Sequence, residues 1–363
     1  MTKRSVDDTQ LKPKPIIDYN FIVPVIFTPV ICLIISVGGW ATYVGIAFIF
    51  YDAIVDYFIG GDSRNYAPEI EKEVAQKQYY RILNYMAFVG VVILVIYSTY
   101  AFVAPGITLF EQIGILISCG VGTAALGIIR AHEMIHRRSK IDRIFGGILL
   151  SFLWYGTFKV EHVRGHHVDV ATDKDPSSAK KGENIYFFII KSIFLNFIKA
   201  FQIESQRLKL RGRSYLSWHN EALNLTALSI IFTFLAGYTF GTTGAIFFVA
   251  QGFFAIALLE LINYVQHYGL RRKKLEDGRY EKPGYNHSWN SNAKTNNFIL
   301  LNLLRHSDHH VNQARPYQIL RHIPESPQLP TGYTGMILIA LVPPLWFKIV
   351  DPILEEYQQR RAK

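Results

Sequence analysis

The chain has 363 residues, 50% of them hydrophobic, 14% aromatic and only 18% charged, with a mean hydropathy of +0.16 and a formal net charge of +10. Apolar runs of membrane length exclude an ordinary soluble domain. The only cysteines, Cys32 and Cys119, lie inside such runs and exclude a disulfide framework or a Cys-x-x-Cys metal site. The positive charge accompanies no nucleic-acid reading motif. Its placement explains it, because Lys and Arg are absent from 16–63, 84–129 and 220–270 and crowd the segments between, the positive-inside pattern.

Residues 1–15 are polar, of mixed charge and without a convincing cleavage site, so they read as a cytoplasmic tail before a retained helix. Runs at 21–37 and 40–59, broken at Gly38-Gly39, each come close to the ~20 residues that cross hydrocarbon. A polar, partly helical connector occupies 62–81. Runs at 83–103 and 109–129 form a second pair around Pro105-Gly106, the latter rich in small residues that allow close helix packing. The segment 137–206 is cytoplasmic, with an apolar helix near 145–158 and a polar loop at 169–184. Its last apolar stretch, 185–203, carries Lys191 and Lys199 and therefore reads as lying at the interface. Runs at 223–240 and 244–262 make a third pair, and 336–346 is short, interfacial or buried. The expected fold is an all-α integral membrane protein of about six spans, both termini cytoplasmic, with a cytoplasmic helical cap. The expected organisation is a tail 1–15, a membrane domain 16–321 and a C-terminal segment 322–363.

Nine of the 12 histidines fall into four motifs, all on the cytoplasmic side of these spans. His132 and His136 are four apart, as are His162 and His166, which places each pair on one helix face. His167 lies about 100° further round. His306, His309 and His310 again share one face, and His267 follows the sixth span. Nine ligands exceed what one ion takes, and two ions with four or five each fit the count. Imidazole suits iron, zinc, copper and nickel. His132-Glu133-x-x-His136 alone also reads as a zinc protease motif, but the other clusters argue against a mononuclear protease. Glu133, Glu161, Asp169, Asp173, Asp175, Glu260 and Asp308 are expected to hydrogen bond outer imidazole N–H groups and offset the metal charge, Glu133 and Asp308 foremost because they lie within the boxes. His219 and His322 read as ordinary polar residues, and His287 as a group that could close the site.

The boxes, of form H-x3-H, H-x3-HH and H-x2-HH, resemble those of the membrane histidine-box di-iron desaturases and hydroxylases. His132 to Arg137, Glu161 to His167, Asn263 to Leu270 and Leu304 to His310 resemble more closely the alkane 1-monooxygenase (AlkB) family. The resemblance implies six spans and two non-haem iron ions held by His132, His136, His162, His166, His167, His267, His306, His309 and His310. It also implies hydroxylation of the terminal methyl of medium or long alkanes with O2, electrons from rubredoxin and its reductase, and residence in the bacterial inner membrane. Two positions depart from the family pattern: Gln266 stands where glutamate usually precedes the histidine, and Leu304 where glutamine is usual. The alternatives are an aryl-methyl hydroxylase or fatty-acyl desaturase sharing the boxes, and a metal transporter, which would want more polar spans. Phe48, Phe50 and Tyr51 are candidate walls of a substrate channel. Basic clusters at Arg137, Arg138, Lys140, Arg143 and 271–274 are candidate steering charges for an acidic donor.

Overall fold

The structure, a computed structural model, describes residues 14–362, which form helices joined by loops and no strand. Apart from Lys14 and Pro15, the expected tail lies outside the described residues. Val23–Ile35 (α1) and Val44–Ile59 (α2) form the first hairpin, turned at Gly38, whose φ of +77° suits glycine. Pro68–Gln76 (α3) lies in the connector. Gln78–Phe102 (α4) and Leu109–Gly122 (α5) form the second hairpin, and a capping box between Thr108 and Glu111 starts α5. A π-helical turn, Thr123–Ile128, carries that rod into Ile129–His136 (α6), so the first histidine box ends a membrane helix.

The layer that carries the remaining histidines begins with Lys140–Phe152 (α7) and Phe158–Glu161 (α8). A second π turn, His162–His166, leads into His167–Asp169 (α9). Ile185–Leu210 (α10) follows. Glu221–His267 (α11) comprises two helical segments that meet at Gly241, whose backbone (φ +72°, ψ 179°) is not helical, where the sequence placed a hairpin. Lys294–Ile299 (α12), His306–Val311 (α13), Tyr333–Ala340 (α14) and Pro343–Ala362 (α15) complete the cap.

Among the described residues five helices are long and apolar enough to cross a membrane by length and composition, and α11 holds two of the expected runs. The first expected run is shorter, Tyr19–Ile35. The α10 helix, expected at the interface, also meets that length and composition, while Leu33, Phe58, Val89 and Phe234 on other helices present an apolar exterior. One polar edge of α10 is nevertheless tied to the histidine layer. Asn196 donates to Ser177 at 2.8 Å, and Lys199 pairs with Glu161 at 3.4 Å and Asp169 at 3.0 Å. The small residues of α5 serve close packing as expected: a Cβ on Gly120 would lie 2.4 Å from the Phe254 ring of α11.

Candidate metal centre

The nine histidines of the four motifs converge as two groups. His132, His136, His162, His167 and His309 form one, and His166, His267, His306 and His310 the other, with ligand atoms in each within 4.8 Å of one another. His219 and His322 lie outside both, beside Ser217 and Asn292.

The partition differs from helical spacing. His162 was expected to share a face with His166 but pairs with His167, Nε2 to Nε2 at 3.1 Å. The cause is the π turn over His162–His166, whose i→i+5 bonding brings together residues that an ideal α-helix holds about 140° apart. Likewise His306 and His310 stay together, Nε2 atoms 3.0 Å apart, while His309 turns to the other group, 3.2 Å from His167. The consecutive pairs His166-His167 and His309-His310 each feed both groups, so the groups are neighbours. The His167 and His310 ring centres are 4.5 Å apart.

The donor set fits cations. His167 Nε2 has the Nε2 atoms of His136, His162 and His309 within 3.2 Å. A neutral imidazole carries one N–H, so protons cannot satisfy four facing nitrogens. Ligands at about 2.0–2.1 Å around one ion stand roughly 3.0–3.4 Å from each other, the spacing seen here. His166 Nε2 is likewise buried with no protein partner. Burial holds His162, His167, His306, His309 and His310 well below the ordinary imidazole value, which keeps them in the neutral, metal-binding form.

Of the seven carboxylates, Asp175 reaches an imidazole: His166 Nδ1 lies 2.9 Å from its Oδ2, which also accepts from Ser178 Oγ at 2.6 Å. The sequence named Asp175 without singling it out. Its signal is weak, a turn-forming Asp-Pro-Ser-Ser eight residues past the box. Glu133, Asp308, Glu161 and Glu260 hold other partners. Glu133 accepts from Arg137 Nε at 2.8 Å. Asp308 accepts from Asn312 Nδ2 at 2.8 Å and from the Arg321 amide at 2.9 Å. Burial pushes the Glu161 carboxyl up to about 7 against the pull of Lys199. Glu260 accepts the Tyr155 hydroxyl. His267 Nδ1 faces the His287 carbonyl at 3.3 Å, so His287 does border the site, through its backbone. Gln266 leaves its buried Nε2 without a partner.

A cavity of about 350 Å³ lies between α1, α2 and α5, almost wholly apolar, walled by Phe27, Phe48, Tyr51, Val121, Leu126 and Ile299 among others. Phe48 and Tyr51 line this cavity, Tyr51 with 65% of its surface exposed. Phe50 does not: it is half exposed on the outer face of α2, because on this helix the cavity side is taken by residues 44, 45, 47, 48 and 51. Leu126 precedes His132 by six residues of one rod, about 9 Å at helical rise, so this end of the cavity faces the histidine layer.

The fatty acid desaturase family matches residues 110–339. The chain is 42% identical over 324 residues to alkane 1-monooxygenase 1 of Pseudomonas aeruginosa, covering 88% of this chain and 84% of that protein. It is 41% identical to alkane 1-monooxygenase 2 of Alcanivorax borkumensis, with the same coverage. With the xylene/toluene monooxygenase hydroxylase component XylM of Pseudomonas putida it shares 29% identity over 64% of this chain and 62% of that one.

Proposed function

This chain belongs to the alkane 1-monooxygenase family, and from that premise we propose that its two histidine groups hold two iron ions and that it hydroxylates the terminal methyl of alkanes with O2. The observation that carries the reading is the convergence of nine imidazoles, eight buried and His136 half-buried, into groups of five and four on helices that continue from the wall of an apolar cavity. A terminal C–H bond offers no polar handle for acid–base chemistry. Bound iron would supply the oxidising power, drawn from O2 and two electrons.

The protein's own residues do the rest. The nine histidines offer neutral nitrogens, and Asp175 fixes the ring of His166 while adding negative charge beside it. The wall formed by Phe27, Phe48, Val121 and Leu126 excludes water and admits an alkyl chain end-on. An alkyl chain gains little on moving from lipid into such a cavity, whereas leaving water is worth about 0.8 kcal/mol per CH2, so selection by length is steric.

Electrons are proposed to come from rubredoxin. Beside His136 a cleft of about 770 Å³ is lined by Arg138 and by Lys77, Arg81 and Arg137, which pair with Glu73, Asp142 and Glu133, and this cation-rich rim is the proposed docking face for a small acidic partner. Other expected steering charges are engaged in the fold. Arg143 donates to the carbonyls of Arg137 and Arg138, Arg271 to that of Ser178, and Arg272 to that of Val168. The location follows as the bacterial inner membrane, with the histidine layer on the cytoplasmic side.

The test supplies iron-loaded protein, rubredoxin, its reductase and O2 with octane, p-xylene or an acyl chain in parallel. The 1-alkanol as the dominant product is expected. An unsaturated acyl chain or an aryl-methyl alcohol in its place would refute the alkane assignment.

A further inference from the structure

Tyr155 and Glu260 are buried titratable groups to which the proposed hydroxylation gives no part. The phenol donates to Glu260 Oε1, and the same carboxylate accepts from Asn263 Nδ2 at 3.2 Å and Asn196 Nδ2 at 3.4 Å. On its other side the Tyr155 ring stacks on Phe158, centres 4.8 Å apart at 27°. Phe158 stacks in turn on His162 of the five-histidine group at 4.4 Å and 22°. The backbone is strained to place it: Trp154, immediately before, has φ +62°, a region a bulky residue rarely adopts. Trp154 itself is half-buried, donates from Nε1 to Thr233 at 2.8 Å and stacks with Phe253, which is exposed on the outside of α11.

A phenol one stacked ring away from an imidazole of the five-histidine group, with a carboxylate already accepting its hydrogen bond, is arranged to give up an electron. We propose that Tyr155 is a redox-active residue that quenches an oxidising equivalent left at the histidine centre when no alkane fills the cavity, with Glu260 as the acceptor of its proton. The inference rests on the reading that the histidines hold oxygen-activating iron. In the step the Tyr155 O–H bond breaks, the electron passes through Phe158 and His162 to the oxidised centre, and the proton moves to Glu260 Oε1. A neutral phenoxyl radical and a carboxylic acid remain. One further electron from the donor that feeds the centre, with the proton returned by Glu260, restores both groups.

Reduced, iron-loaded protein is mixed with O2 without alkane, freeze-quenched and examined by electron paramagnetic resonance. The expected result is an organic-radical signal whose hyperfine pattern narrows in protein grown on ring-deuterated tyrosine. Tyr155→Phe should remove the signal at unchanged iron content. It should hydroxylate alkane at close to the wild-type rate, and without alkane lose activity several-fold faster per O2 consumed. Glu260→Gln keeps the phenol and should lower the radical yield several-fold. A signal that survives Tyr155→Phe overturns the proposal. So does wild-type protein that consumes O2 yet gives no tyrosine radical, which decides the matter even if the variant fails to hold iron. Wild-type protein that binds iron but neither consumes O2 nor hydroxylates alkane brings down the oxygenase reading, and this inference with it.

Discussion

Asp175→Asn should release iron from one site and not the other. Asp175 Oδ2 takes both His166 Nδ1 at 2.9 Å and Ser178 Oγ at 2.6 Å, while Oδ1 accepts from the Ser177 amide at 3.2 Å. Asparagine has one carbonyl oxygen for these three donors and no charge, so the His166 ring loses its charge-assisted anchor. Removing such a partner typically weakens metal affinity 10–100-fold, about 1.4–2.8 kcal/mol. His166 belongs to the four-histidine group alone, so the loss should fall there. The assay is anaerobic titration of iron-loaded protein with a chelator, counting iron per chain and following the two iron environments by Mössbauer spectroscopy. The variant should release one iron at 10–100-fold lower chelator than wild type and hold the other normally. Asp308→Asn, whose carboxylate engages Asn312 and Arg321, should show no such asymmetry. Equal loss of both irons from Asp175→Asn, or none, would refute the assignment of Asp175 to a single site.

His136→Ala and His306→Ala act on different groups, so each should retain about one metal per chain by elemental analysis; an empty protein in both cases would mean a single cooperative site. Phe48→Ala removes a ring that packs on Phe27 at 5.3 Å in the cavity wall and should extend the longest accepted alkane by several carbons, while Phe50→Ala, facing outward, should leave the product range unchanged by gas chromatography. Burial by itself raises the Asp62 carboxyl, but the hydrogen bonds from Arg64 and the charge of Lys14 bring it down to about 2. Its value is lowered on folding, so the stability it contributes is complete above about pH 4 and is lost as pH falls toward 2. The melting temperatures of wild type and Asp62→Asn should therefore differ at pH 7 and converge as pH drops below 4, and a gap that widened on acidification would reverse the sign.

Charge and hydropathy alone located most of the long apolar helices, because a bilayer imposes a length on apolar runs and confines lysine and arginine to their ends. The turns at Gly38 and Gly241 could be read for a local reason too, since both take a positive φ that glycine permits. The exception is α10. Its two lysines pointed to an interface, but only tertiary structure shows Lys199 turned inward to Glu161 and Asp169.

The nine histidines declared themselves in the sequence because a metal needs many donors of one type, and such donors gather in short motifs. How they divide did not. The i, i+4 rule assumes an α-helix, and a π turn exchanged the partners of His162. The choice among carboxylates was equally a matter of tertiary structure. Glu133 sits inside a box and bonds to Arg137, whereas Asp175 comes from a loop and reaches His166, because a hydrogen bond depends on the path of the folded chain and not on proximity along it.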